Sequence, residues 1–542
     1  MYWADELAAR VSGPQVVNDS KTPSGTVHVG SLRGPVMHDA IARALRDRGI
    51  PVQFRYGVED MDAMDAQALL TPDAVERYMG VPLSRVPAPE GSSAANYARH
   101  FVGTLFFPTF ARLGIRPEFY WLSEIYPTGQ LDPYIRTALD RAQVIRDLYV
   151  RVSNVERPAG WLPIQAICEA CGRVGTTLSD DWDGETIRYR CLPDYVKWAK
   201  GCGHEGRLAP FGGAAKMPFN VEWAAKWSLM GVTIEGCGKD LATMGGSRDR
   251  SEAISREVFD REPPINVMYE FLNVGGRKMS TSKGLGAAVH SISESIPPEV
   301  LRFLFLRPRP NHAIDFDPAG SDAIPRLHDE YDRISAATAG KSVRGELPPD
   351  YERLHLFSQI ADSTVEAAKE VAGAWRPAFG QLSLLLQLPG VDVAERAAAE
   401  KGSALTAAES AELNGRIAAV ESWLRDYAPA EARIAVRPDL PTDAVAALSE
   451  AERTWLGTLA ARVESAIAAD AAALGSGDAW QALIFAAAKE AGLQPVRAFA
   501  SIYAAFLGRT NGPRAGWLLA AIDRTLILER LRAAAATEGV GT

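Results

Sequence analysis

The chain has 542 residues and a formal net charge of −9, from 58 Lys and Arg against 67 Asp and Glu; this excludes a general nucleic-acid coat while leaving room for a nucleic-acid substrate met by local basic patches. Such a length holds three or four domains of about 100–200 residues each. The acidic opening Met1-Tyr2-Trp3-Ala4-Asp5-Glu6 has no apolar run behind it, no later stretch offers the ~18 apolar residues of a membrane span, and five cysteines make no disulfide framework, so a cytoplasmic protein is expected.

Gln15-Val16-Val17-Asn18 reads as a short buried strand. It runs into Thr22-Pro23-Ser24-Gly25-Thr26-Val27-His28-Val29-Gly30-Ser31. In that turn small residues let the backbone approach a nucleotide, a helix opening near Gly30 points N–H groups at an anion, and His28 adds a titratable donor. Helical spacing from Ser31 to Arg48 puts Val36, Ala40, Ala44 and Leu45 on one side, and Gly49 stops the helix. Pro51 to Tyr56 is the next strand. The order strand, turn, helix, strand predicts an α/β protein with a Rossmann-type parallel sheet, whose ligands bind beyond the carboxyl ends of the strands. The acidic stretch Glu59 to Asp65 is either a solvated loop or a site for a cation or ammonium group. Residues 91–115 read as helix and Glu118 to Leu122 as strand.

An insertion is expected over 127–210. It holds Cys168-x-x-Cys171-Gly172, Cys191 and Cys202-Gly203-His204. Thiolates two residues apart occupy two corners of a tetrahedron and the glycine relieves the turn, which predicts a structural zinc knuckle stapling a small β-rich module. Cys168 and Cys171 are ligands in this reading. Cys191 and Cys202 complete the set, with His204 as the substitute for one of them.

The sheet resumes after Pro210. Val221 to Trp227 reads as an amphipathic helix, and Val232 to Gly238 as a strand entering the turn Gly238-Lys239-Asp240, where Asp240 is placed to accept from ribose hydroxyls. A helix is predicted after Gly245-Gly246 with Ser247 as its N-cap. The strand Val267 to Leu272 then delivers Lys278-Met279-Ser280-Thr281-Ser282-Lys283-Gly284, a loop whose ammonium groups would offset charge on a departing pyrophosphate. A connector follows, with a helix from Pro297-Pro298 and a joint at Gly345-Glu346-Leu347-Pro348-Pro349. Beyond it the chain is helical, with breaks near Tyr427-Ala428-Pro429 and Gly475-Ser476-Gly477. Tyr503, Phe506, Arg509, Arg514, Trp517 and Arg524 are there to stack on and pair with RNA or to fill a core.

Taken together, His28-Val29-Gly30-Ser31 and Lys278-Met279-Ser280-Thr281-Ser282 resemble the HIGH and KMSKS signatures of class I aminoacyl-tRNA synthetases, in the right order and flanking an insertion. Within that class the chain most resembles the class I lysyl-tRNA synthetases. The likeness is carried by Thr22 to Gly25, Gly238 to Asp240, Tyr269-Glu270-Phe271, Lys278 to Gly284 and Phe506-Leu507-Gly508 with Gly512-Pro513-Arg514. It implies a catalytic domain in two halves, 1–126 and 211–290, a zinc-bearing insertion at 127–210, a stem-contact connector at 291–345 and an α-helical anticodon-binding region at 346–542.

The resemblance further implies ATP with Mg2+, structural Zn2+, L-lysine and tRNA(Lys) as ligands, with no role for DNA or membrane. Catalytic roles fall on His28, Lys278 and Lys283. ATP contacts fall on Thr22, Ser24, Gly25, His28, Gly30, Ser31, Gly238, Asp240, Lys278, Ser280 and Ser282. The lysine pocket is drawn from Asp19, Thr22, Phe219, Glu222, Leu241 and Tyr269. Two of these depart from the family pattern: Leu241 stands where histidine is usual, and Phe219 where tryptophan is. A class I synthetase of another specificity and an adenylyltransferase that uses no tRNA are the alternatives.

Overall fold

The structure, a computed structural model, describes every residue except 26–28, 66–69, 275–276, 279–291, 293–294, 389–390, 435, 471 and 538–542, and only the backbone of 277–278. The chain forms two compact units. The first comprises residues 1–293, 298–316 and 344–368; the second comprises 294–297, 317–343 and 369–542.

In the first unit α1 (Trp3–Ala8) leads to β1 (Gln15–Lys21), the centre of a parallel sheet. The chain then enters a 3-10 turn, Val29–Leu32, and α2 (Arg33–Asp47), which ends before Gly49 at φ +71°. The expected face of α2, Val36, Ala40, Ala44 and Leu45, is fully buried, and so is its other side, because α1 and the Pro298–Leu306 helix cover what the sheet does not. β2 (Val52–Val58) pairs with β1, and β3 (Glu118–Trp121) pairs with β2, all in parallel. On the far side of β1, Val17 bridges Ile234, Ile234 bridges Ile265, and Gly238 bridges Tyr269, again in parallel. The resulting order reverses direction at β1, which creates a topological switch point where the carboxyl end of β1 meets residues 236–240.

The segments read as strands at 232–238 and 267–272 make these bridges without forming full ladders. Between the two bridges Gly236 lies so close to the neighbouring backbone that a Cβ there would stand 2.4 Å from the Val267 carbonyl. Three further readings are adjusted. The 127–210 segment begins with two helices, Asp132–Asp140 and Ala142–Ser153, before its β module. The Phe219–Met230 helix is buried on nearly every face rather than one. Ser247 is the first helical residue of Ser247–Glu257; Gly246 is its N-cap and no side chain caps it.

The β module is an antiparallel sheet of Thr177–Asp180, Ile187–Cys191 and Glu205–Leu208. It is bonded to the sheet domain by backbone: Val174 and Gly175 both donate to the Gly80 carbonyl, at 2.7 and 3.1 Å, and Gly80 donates to Met64 O at 2.8 Å.

The second unit is helical. Its core joins Trp455, Leu456, Leu459, Trp480, Ile484, Ile502, Phe506 and Leu518. Helix starts are set by side chains: Thr406 with Glu409 and Ser449 with Glu452 form capping boxes, and Ser476 accepts from Ala479 N. The breaks expected near 427–429 and 475–477 separate helices there. Phe506 is core, and Tyr503 is largely buried with its hydroxyl donating to the Pro513 carbonyl.

Candidate functional site

The switch point gathers most of the described candidates. Past β1 the turn is tight: Ser24 N donates to Thr22 O at 2.8 Å and Gly25 sits at φ +71°, which favours glycine. Gly30 and Ser31, half-buried in the 3-10 turn, lead directly into α2, whose N-cap Leu32 makes no side-chain hydrogen bond. His28 lies outside the described residues. Across the switch point, Gly238 packs tightly against Asp240; a Cβ at Gly238 would stand 2.8 Å from Asp240 Oδ1. Leu241 N donates back to Gly238 O at 3.0 Å and closes this second turn. Lys278 is placed in the Arg277–Lys278 strand, antiparallel to Leu272–Val274. Ser280, Ser282 and Lys283 lie outside the described residues.

Beside the turn, Asp19 and Tyr269 converge on Gly34. A Cβ there would stand 2.8 Å from the Tyr269 hydroxyl and 2.9 Å from Asp19 Oδ2, so any larger residue would have to displace one or both side chains. Asp19 Oδ1 accepts from Ser20 N at 2.8 Å, whereas Oδ2 is buried with no hydrogen-bond partner. His38 stands next to it. Its Nε2 accepts from Gly236 N at 2.8 Å, which leaves the proton on Nδ1, 2.8 Å from Gly34 O and 3.4 Å from Asp19 Oδ2. Burial, reinforced by Asp19, holds the Tyr269 hydroxyl well above its usual pKa.

Behind Thr22 lies a buried chain of charges. Thr22 Oγ1 donates to Asp62 Oδ2 at 2.6 Å, Lys216 Nζ sits 3.0 Å from both Asp62 and Glu222, and the Tyr126 hydroxyl donates to Glu222. Lys226 is ion-paired with Glu59 nearby, both nearly inaccessible. Burial alone would lower the Lys216 pKa, but Asp62 and Glu222 outweigh it and keep the ammonium charged. Asp60 faces Ser123, accepting from its N–H at 2.8 Å and its hydroxyl at 2.5 Å, and burial pushes its carboxyl up to about 6. The acidic stretch 59–65 therefore holds ammonium groups, and they are the chain's own. Glu222, one of the two acidic pocket candidates, already has two partners; Asp19 has one oxygen without a hydrogen bond, with His38 beside it. Phe219 begins its helix partly exposed, its ring 5.2 Å from Trp223.

Sequence reading did not single out Lys216, Lys226, Tyr126, His38 or Arg33. Lys216 and Lys226 did carry a signal, being lone charges in the otherwise apolar run Ala214 to Trp227 with Glu222 between them. Burying them demands acidic partners, and 59–62 is an acidic run.

The four cysteines meet in one cluster. Cys168 and Cys202 are 3.7 Å apart, Cys171 and Cys191 3.6 Å, and all four sulfurs lie within 4.8 Å of one another. A tetrahedron with Zn–S bonds of about 2.3 Å has edges of about 3.8 Å, so the donor set fits zinc. Gly172 at φ +74° and Gly203 at φ +82° turn the two knuckles. His204 is outside the cluster: its carbonyl accepts from Cys191 N, and its ring lies 5.9 Å from Tyr189. Among the described residues no helix is long and apolar enough to cross a membrane.

Residues 1–355 match the family described as tRNA synthetases class I (K). The lysine–tRNA ligase of Methanosarcina barkeri strain Fusaro is 33% identical over 556 residues, covering 98% of this chain and 98% of that one. The lysine–tRNA ligase of Archaeoglobus fulgidus is 31% identical over 546 residues, covering 98% and 100%. Among solved structures, a glutamate tRNA ligase from Elizabethkingia meningosepticum aligns at 12% identity and a TM-score of 0.43, covering 96% of this chain and 99% of that one. The family match and the end-to-end identity to its curated relatives agree with the motif order in the chain, which belongs to the class I (K) tRNA synthetases.

Proposed function

We propose that this protein attaches L-lysine to tRNA(Lys) in two steps and acts in the cytoplasm. In the first, the lysine carboxylate attacks the α-phosphorus of ATP, the bond to the β-phosphate oxygen breaks, and lysyl-adenylate forms as pyrophosphate leaves. In the second, the 2′-hydroxyl of the terminal tRNA ribose takes the lysyl group and AMP leaves. The observation that carries this reading is the full-length likeness to lysine–tRNA ligases, with 98% of this chain covered at 33% identity.

The residues divide the work by position. Thr22, Ser24, Gly25, Gly30 and Ser31 line the nucleotide side, where the start of α2 favours phosphate. Gly238 and Asp240 hold the ribose. His28 stabilises charge on the phosphates, and Lys278, Lys283, Ser280 and Ser282 face the departing pyrophosphate. Positioning and charge stabilisation carry a phosphoryl-centre displacement of this kind. Asp19 and Tyr269, set together at Gly34, face the amino acid with Thr22, Phe219 and Leu241; Glu222 acts from behind through Lys216, Asp62 and Thr22. Mg2+ accompanies ATP and neutralises phosphate charge. Cys168, Cys171, Cys191 and Cys202 hold a structural Zn2+. The helical region 346–542 reads the anticodon end, and 291–345 contacts the stem.

ATP–pyrophosphate exchange measured with each amino acid tests the specificity. Lysine-dependent exchange is expected, and Lys278→Ala should lower its kcat by about 10²–10³-fold, the scale of one lost charge-stabilising donor. Exchange with arginine, glutamate or cysteine but not lysine overturns the reading. Metal analysis of the purified protein should find one zinc per chain, with Cys171→Ser losing it; freely titratable thiols and no zinc would remove the metal from the account.

A further inference from the structure

Arg33 begins α2, two residues after Ser31, and its side chain is buried, with the residue 1% exposed. A guanidinium taken out of water ordinarily brings a carboxylate with it. Two others on or against α2 do so: Arg302 and Arg43 lie 2.7 and 2.9 Å from Asp39. Arg33 has no carboxylate within ion-pair distance among the described residues. Its two terminal nitrogens donate to five backbone carbonyls instead: Nη1 to Glu270 at 2.6 Å and Phe271 at 3.3 Å, and Nη2 to Arg309 at 3.4 Å, Pro310 at 3.1 Å and His312 at 2.7 Å.

Those carbonyls belong to two segments that flank the second motif in the chain, 270–271 before it and 309–312 after it. Glu270 N bonds Pro310 O at 2.9 Å and Ile314 N bonds Phe271 O at 3.0 Å. One residue on, Leu272–Val274 pairs with Ile314–Asp315 on one side and with Arg277–Lys278 on the other, Asn273 opposite Lys278. One planar fork thus ties the helix start behind Gly30-Ser31 to the base of the strand pair that holds Lys278. A lysine, with a single compact ammonium, cannot span both segments.

We propose that Arg33 is a positioning residue for adenylate formation, setting where the Lys278 strand stands relative to the glycine turn. The proposal rests on the ATP site described above. Attack on the α-phosphorus needs groups on both sides of the triphosphate in register, and a displacement of about 1 Å costs on the order of 100-fold in rate. Transfer from a finished adenylate to tRNA breaks the bond between the lysyl carbonyl and AMP and makes no demand on the pyrophosphate side.

The full-length protein and Arg33→Lys are compared in two assays. In pyrophosphate exchange, Arg33→Lys should lose about 100-fold in kcat with the lysine KM within about twofold of wild type. In single-turnover transfer from preformed lysyl-adenylate, it should stay within about threefold. Equal losses in both steps, or exchange kept within about threefold, overturn the proposal. If Arg33→Lys does not fold, Arg33→Gln, which keeps a planar donor, is measured in its place; failure of both to fold assigns Arg33 a structural role and overturns the proposal as well. If the wild-type protein exchanges with another amino acid, lysine specificity fails and Arg33 is judged by the same split on that amino acid. No exchange with any amino acid overturns both.

Discussion

The switch point of the first unit and the helical second unit spend polar groups in opposite ways. Around β1 the chain buries whole charges, Lys216 between Asp62 and Glu222 and Lys226 against Glu59, in a region that also leaves Asp19 Oδ2 without a hydrogen bond, 3.4 Å from His38 Nδ1. In the helical unit, polar side chains mostly end helices, as the two capping boxes do, or pair on the surface, as Arg462 does with Glu490. Arg416 with Asp332 and Arg530 on the carbonyls of Arg437 and Pro438 are among the buried exceptions. Buried ion pairs add little net stability compared with apolar packing, so a region built from them gains fixed geometry instead. The first unit fixes charged side chains in place; the second holds helices together.

Breaking the charge chain should have the largest effect. Lys216→Met leaves Asp62 and Glu222 facing each other without their cation, and is expected to cost about 3–5 kcal/mol. Because Asp62 holds Thr22, the lysine KM in exchange should rise as well; a variant with normal stability and normal KM would erase the distinction between the two regions.

The next test uses pH. Asp60 has its carboxyl raised from 3.8 to about 6 by burial, so between those values the folded protein holds a proton that the unfolded chain releases. That contribution to stability is present at low pH and declines as pH rises from about 4 to about 6, by at most ~3 kcal/mol. Asp60→Asn does not ionise. Its melting temperature relative to wild type should therefore be higher at pH 6.5 than at pH 4.5, and a constant offset would mean that Asp60 is ionised throughout.

The smallest effect belongs to the helical unit. Thr406→Ala removes one capping box and should cost about 1 kcal/mol, with exchange kinetics unchanged. A change in the lysine KM from this substitution would show that the helical unit also orients the amino-acid site.

The parallel sheet was legible because β1, α2 and β2 follow one another with unmistakable spacing, and the cysteine cluster because Cys168-x-x-Cys171 sets two ligands by local geometry, with Cys191 and Cys202 the only other cysteines nearby in the chain. At 232–238 and 267–272 apolar composition announces extended chain, but the pairing is limited to single bridges, which depend on contacts that composition does not encode. The pocket was half legible. Motif residues stand near one another in sequence, whereas the partners of Thr22 and Glu222 come from residues 62, 126 and 216, and long-range pairing leaves no periodic trace. Arg33 was invisible for a related reason, since carbonyl acceptors carry no residue identity.

The backbone bond between Gly80 and the cysteine knuckle bears on how this chain tolerates change in length. Surface loops absorb insertions because nothing downstream depends on their span. Residues 77–81 form no such loop: Arg173 donates to the carbonyls of Arg77 and Met79, Val174 and Gly175 to that of Gly80, and Gly80 and Met64 bond each other's segment two residues from Asp62. One added residue there would slip the knuckle and the threonine-bearing turn out of step together, so insertions and deletions accumulating among relatives should skip this strut and fall on either side of it.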